Sequence, residues 1–232
     1  MLPIAILAGG QATRLRPLTE TTPKSLVNVA GRPFIEHQLL WLSRQGIERV
    51  ILCVSHLGKQ IEQVVRTGSR FNLQITYSYD GRQPLGTGGA LRKALPLLGD
   101  AFFVLYGDSL LTCSLTAVEA AYRRAARPAM MAVFENRGRW DTSNVLYRDG
   151  EVLLYDKLEP TSEMMHVDYG LSILSASVLA CYQESERFDL ALLYTNLSRS
   201  GKLAGIEVPE RFYEIGSFAG LKETEAFLRR EG

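Results

Sequence analysis

The 232-residue chain predicts an α/β fold with a mostly parallel central sheet and helices on both faces. Three observations carry that expectation. Short runs at 4–8, 50–54 and 101–105 are apolar without interruption, as strands buried on both faces are. Segments with helical spacing of apolar residues lie between them, and repeated strand–helix units build parallel sheets. The first and last of these runs stop at glycine turns, Gly9-Gly10 and Gly107-Asp108, at the carboxyl ends where such sheets take ligands.

The elements follow in order. The run Ile4-Ala5-Ile6-Leu7-Ala8 is a first strand, and a polar stretch punctuated by glycine and proline follows to about Gly31. Pro33 opens a helix with Ile35, Leu39, Leu40 and Leu42 on one side and Gly46 as its stop. After the strand at 50–54, Ile61, Val64 and Val65 mark a short helix ending near Gly68, and 73–79 alternates as a strand does. Residues 86–98 are expected to begin as a loop and become helical through Ala90, Leu91, Ala94 and Leu95. The strand at 101–105, a helix over 117–126 and a strand over 129–134 complete the alternation. Beyond 134 the pattern changes. Segments 144–147 and 151–155 flank Asp149-Gly150, a hairpin signal. A strand over 167–174, helices over 188–200 and 217–230, and a strand over 203–208 follow. With no repeat or long linker, one domain over 1–232 is expected.

Composition narrows the function. Formal net charge is +1 and charged residues make up 22%, which argues against disorder and against a broad basic field for nucleic acid. No apolar run is long enough to span a membrane, and the apolar start lacks the basic flank of a signal peptide. Cys53, Cys113 and Cys181 are scattered, which suits a reducing, cytoplasmic setting. His37, His56 and His166 have no metal-ligand spacing.

The segment from Leu7 and Ala8 through Gly9, Gly10, Gln11, Ala12, Thr13 and Arg14 to Arg16 carries the most chemistry. Glycines let a backbone approach a ligand, and successive free N–H groups make an anion-binding hollow. Arg14 and Arg16 add forked positive charge, and Lys24 follows ten residues after Arg14. From residue types alone, a triphosphate-binding loop and a solvated surface loop both remain open. The P-loop and the dinucleotide fingerprint are excluded, since neither Gly-Lys-Ser/Thr nor GxGxxG is present. Asp108, at a strand end, is either a turn residue or a magnesium-holding carboxylate.

Residues 7–33, including Gly9-Gly10, Thr13-Arg14-Leu15, Pro17-Leu18-Thr19, Pro23-Lys24-Ser25-Leu26 and Gly31-Arg32-Pro33, resemble the signature of the sugar-phosphate nucleotidyltransferase family. Ala12 stands where that family usually has glycine. The resemblance implies a Rossmann-like nucleotide-diphospho-sugar transferase fold. Residues 1–134 would mainly bind nucleotide and residues 135–232 mainly the sugar. It implies Arg14, Lys24 and Lys157 as catalytic cations. Leu7, Ala8, Gly9, Gly10, Gln11 and Thr13 would line the nucleotide, with Gln83, Gly86, Thr87 and Gly88 at the base. Asp108, Asn144, Asp156, Asp168 and Gly170 would face the sugar. Mg²⁺ would be held by Asp108 and by Glu214, which stands where aspartate is usual. The implied reaction joins a nucleoside triphosphate to a sugar 1-phosphate and releases pyrophosphate. The branch most similar is that of heptose 1-phosphate guanylyltransferases, which favours GTP. N-acetylmuramate 1-phosphate uridylyltransferase, phosphocholine cytidylyltransferase and a non-catalytic nucleotide-sugar sensor are the alternatives. Neither nucleic acid nor membrane is expected as a partner, and self-association is left open.

Overall fold

A computed structural model describes residues 1–10, 13–55, 57–81 and 83–231. In chain order, β1 (Ile4–Leu7) leads through a long loop to the ribbon β2 (Asn28–Val29) and β3 (Arg32–Pro33), then α1 (Phe34–Arg44), β4 (Arg49–Val54), α2 (Gly58–Val65) and β5 (Gln74–Tyr79). Next come α3 (Gly86–Leu98), β6 (Ala101–Tyr106), β7 (Ser109–Leu110), α4 (Leu115–Ala125) and β8 (Ala129–Glu135). The chain closes with β9 (Val145–Arg148), β10 (Glu151–Tyr155), β11 (His166–Ser175), α5 (Leu190–Arg199), β12 (Leu203–Glu207), β13 (Tyr213–Glu214) and α6 (Phe218–Glu231).

Nine strands form one sheet in the order β5-β4-β1-β6-β11-β8-β12-β10-β9. β5, β4, β1 and β6 are mutually parallel, and β11 and β10 run against the other seven. The sheet is therefore mixed but mostly parallel, as the sequence predicts. Its two faces can be read off alternate residues. Ile4, Ile6, Val50, Leu52 and Val54 pack with Ile35, Leu39 and Leu42 of α1, Ile61 of α2 and Val118 of α4. Ala5, Ile51 and Cys53 pack on the other face with Leu91, Ala94 and Leu98 of α3 and Leu193 and Leu197 of α5. Each such aliphatic side chain contributes roughly 1.5–3 kcal/mol on burial, which is why period-2 strands and period-3.6 helices are found where the pattern placed them.

Two differences matter for function. α3 begins at Gly86 itself, because Gly88 N and Gly89 N donate to Phe188 O and fix the glycine-rich first turn from outside the helix. The other is the two-residue ribbon β7–β13, which pairs Ser109 with Glu214 and closes the C-terminal segment against the end of β6.

Candidate active site

β1 is flanked by β4 on one side and β6 on the other, so the loops leaving β1 and β6 diverge and leave a crevice at their carboxyl ends. A cavity of about 380 Å³ occupies it. One wall is Leu7, Ala8, Gly9 and Gly10 from the end of β1. A second wall is Pro84, Gly86, Thr87 and Ala90 at the start of α3. Tyr106, Gly107 and Asp108 come from the end of β6, and Lys24 and Ser25 from the long loop. The β1 and β6 ends approach closely: Gly107 N donates to Leu7 O at 3.1 Å, and a Cβ on Gly107 would lie 2.6 Å from that oxygen. Only glycine permits the contact. A smaller cavity of about 160 Å³ adjoins, lined by Arg16, Thr22 and Pro23 and sharing Gly10 and Lys24 with the first.

Lys24 sits at the junction and donates from Nζ to Asp108 Oδ2 at 2.6 Å, across 84 positions of sequence. Its ammonium also lies 3.2 Å from the point a Cβ on Gly216 would occupy, and the Glu214 carboxylate crowds the same point. Lys24, Asp108 and Glu214 are thus neighbours. Glu214 points at the start of α6, where its carboxylate accepts from Gly216 N and from Ser217 Oγ, and it does not line the cavity. Ser25 Oγ lines the same region, buried and with no hydrogen-bond partner among the described residues.

The sugar-side candidates gather around a bulge in β11. The register with β8 shifts between Asp168 and Ser172, and Gly170 there takes φ +85° with Ser109 Oγ beneath it. Asp168 accepts from Gly170 N at 2.9 Å and from Tyr106 Oη at 3.3 Å, and Tyr106 lines the cavity. Burial pushes the Asp168 carboxyl above the usual carboxylate range, against the lowering pull of the Gly170 N–H, of Lys157 and of Tyr106. Lys157 is exposed but near enough for its charge to act on Asp168. Asn144 is buried and its Oδ1 accepts from Asp168 N, so it shapes the bulge. The Asp156 carboxylate accepts from Leu158 N and Glu159 N and pairs with Arg199, and these backbone donors hold it below the usual range.

Other expected contacts lie elsewhere. Arg14 is exposed on the turn Thr13–Leu15, anchored by fully buried Leu15, and lines neither cavity. Gln83 is exposed and outside the lining. Gly88 N donates to Phe188 O at 3.1 Å, so that amide is committed to packing rather than facing the cavity, and the Phe188 ring leaves no room for a Cβ. Gln11, with Ala12, falls outside the described residues. Asp80 and Arg187 are among the cavity residues that sequence reasoning missed. Asp80 ends its strand as Asp108 does, a signal that was available, and burial pushes its carboxyl up. Arg187 enters from a distant loop that carries no motif.

Among the described residues no group of three or more His, Cys, Asp and Glu gathers as a metal cage. Asp108 at the cavity, with Glu214 beside Lys24, suits a magnesium ion that would keep water and phosphate oxygens as most of its ligands. Among the described residues, no helix is long and apolar enough to cross a membrane.

Comparison with known proteins accords with this geometry. Residues 4–140 match the family model described as nucleotidyl transferase. The chain is 42% identical to N-acetylmuramate alpha-1-phosphate uridylyltransferase of Neisseria meningitidis serogroup B, over 95% of this chain and 96% of that one. It is 30% identical to UTP–glucose-1-phosphate uridylyltransferase of Synechocystis over 80% of its length, and spans about half (52%) of that longer protein. Among solved structures, HddC from Yersinia pseudotuberculosis complexed with GMP-PN superposes with TM-score 0.80 at 23% identity, covering 98% of this chain and 100% of that one, a likeness of fold. The chain is a member of the nucleotidyl transferase family, whose relatives found here are sugar-1-phosphate nucleotidyltransferases.

Proposed function

We propose that the protein transfers a uridylyl group from UTP to N-acetylmuramate α-1-phosphate, giving the nucleotide sugar and pyrophosphate. The carrying observation is the crevice between β1 and β6, where a glycine turn, Lys24 and Asp108 converge on one cavity. The choice of substrates rests on the 42% identity over nearly the full length of both chains. It takes up the uridylyl alternative in place of the heptose guanylyl one, because the likeness to HddC at 23% identity is one of fold.

In this reading the nucleoside lies between Leu7, Ala8 and the Gly86-Thr87 turn, with Gln83 reaching the base from the rim. The backbone N–H groups of Gly9 and Gly10, which line the cavity, hold the triphosphate with Lys24 and, from the turn that follows, Arg14. The sugar phosphate enters on the β11 side, steered by Lys157, with Asp168 accepting from sugar hydroxyls, Asn144 and Gly170 shaping the bulge, and Asp156 N donating to Asn144 O beside it. Its oxygen attacks the α-phosphorus, the bond from that phosphorus to the β-bridging oxygen breaks, and pyrophosphate leaves. No protein nucleophile is needed, since the attacking phosphate is already ionised. Lys24 offsets charge on the leaving group, so this chain's contribution is positioning and electrostatics. Magnesium, when bound, supplies further charge neutralisation between the two phosphates. Asp108 would hold it, and Glu214 would join only on giving up Ser217. A nucleotide-sugar route of this kind, together with the free thiols of Cys53, Cys113 and Cys181, supports a cytoplasmic setting.

The test is pyrophosphate release with UTP, GTP, CTP and dTTP, each against N-acetylmuramate 1-phosphate and a heptose 1-phosphate. Turnover confined to UTP with N-acetylmuramate 1-phosphate is expected. Turnover only with GTP and the heptose would replace the substrates and keep the reaction. Nucleotide binding without turnover for every pair would sink the enzymatic reading.

A further inference from the structure

The Asp108 turn is held from three directions. Gly107 N reaches Leu7 O, and Ile215 N reaches Asp108 O at 2.9 Å. The third hold comes from inside the core. Gln38, on α1 and 1% exposed, donates from Nε2 to Tyr106 O at 3.0 Å and to Ser109 O at 2.8 Å, the carbonyls on either side of Gly107-Asp108. Its amide orientation is fixed by these bonds, because the reverse would aim Oε1 at two carbonyl oxygens. Gln38 Oε1 is then left buried without a partner among the described residues. A buried orphan acceptor is costly, and an apolar side chain would remove that cost. It would also free the Tyr106 and Ser109 carbonyls.

We propose that Gln38 is a positioning residue that clamps the turn on both sides of Asp108 and so sets where its carboxylate meets the α-phosphate and its metal. The proposal rests on the catalytic reading of Asp108 given above. Gln38 never touches substrate, and acts through the turn alone.

Gln38→Met keeps the side chain's length and removes both donors. The expected result is a fall in kcat of roughly ten- to hundredfold, the scale of a small misplacement at the reacting atoms. KM for UTP should stay unchanged, because the nucleoside wall is untouched. Affinity for Mn²⁺ in the UTP-bound enzyme, read by electron paramagnetic resonance, should weaken in parallel. Leu42→Ala, on the same helix and fully buried, supplies a variant destabilised without loss of the clamp, and its kcat and Mn²⁺ affinity should stay near wild type. Wild-type kcat and Mn²⁺ affinity in Gln38→Met, with Asp108→Asn slow, would overturn the clamp alone. An equal loss in Leu42→Ala would do the same, and wild-type turnover in Asp108→Asn would overturn both readings. Should Gln38→Met fail to fold, Gln38→Glu serves instead. Its activity relative to wild type should rise as pH falls, because only a protonated carboxyl can donate to either carbonyl, and a flat ratio would overturn the proposal.

Discussion

The Lys24–Asp108 pair is both a structural contact and the proposed catalytic core, and the two roles can be separated. At 2.6 Å, two unit charges attract by about 6 kcal/mol at an effective dielectric near 20. Desolvation of Lys24, 14% exposed, and solvent screening of Asp108, 34% exposed, offset most of that. The net coupling should be on the order of 1–2 kcal/mol, near the low end for hydrogen bonds to charged groups. The perturbation is the cycle Lys24→Met, Asp108→Asn and the double variant, with urea unfolding and turnover measured on all four proteins. Each single change should cost stability, and the double variant should cost less than the sum of the two. Turnover should fall by at least about 10²-fold in every variant. Strict additivity in stability would refute the ion pair, and near-wild-type turnover in either single variant would refute its catalytic use.

Asp168→Asn should stabilise the protein while lowering turnover. Burial raises the folded carboxyl above its unfolded value, so holding it ionised costs stability once pH passes the unfolded pKa near ~3.9. The advantage of the variant should therefore grow as pH rises through the folded value and then level off, and urea midpoints that differ equally at all pH values would count against this. Gly88→Ala should unseat Phe188 from the first turn of α3 and destabilise measurably, since the ring fills the space of the added methyl; an unchanged midpoint would contradict the packing. Leu39→Ala, in the core under α1, should cost about 2–5 kcal/mol in unfolding free energy. Of the three cysteines, the exposed Cys181 should be labelled by a thiol reagent in the native state. Cys53 and Cys113 should wait for denaturant, since burial raises both thiols to about 12; rapid labelling of all three would contradict the core.

What the sequence made legible follows from where information is local. β1, β4 and β6 are buried on both faces, so their apolar runs declare them without any partner being known. Gly9-Gly10 and Gly107-Asp108 end such strands, which brings them to one crevice by topology alone. The first turn of α3 was not legible, because it is completed by Phe188 O, a hundred positions away, rather than by its own propensity. The β7–β13 ribbon is two residues per strand and leaves no pattern, yet it decides that Glu214 lies beside Asp108. Arg187 and the buried Ser25 hydroxyl, without a partner among the described residues, are site features of tertiary origin, and no motif marks Arg187. Gly88 shows the converse: a residue that resembles a base contact is used here to seat an aromatic ring.

Single-turnover transfer from α-labelled UTP, with magnesium and enzyme in excess, isolates the bond-making step from binding and release. Wild-type enzyme should convert label to nucleotide sugar with one pyrophosphate per turn, and Asp108→Asn should bind UTP yet slow that step by about 10²-fold or more. Equal rates in the two proteins would place the chemistry away from the crevice between β1 and β6.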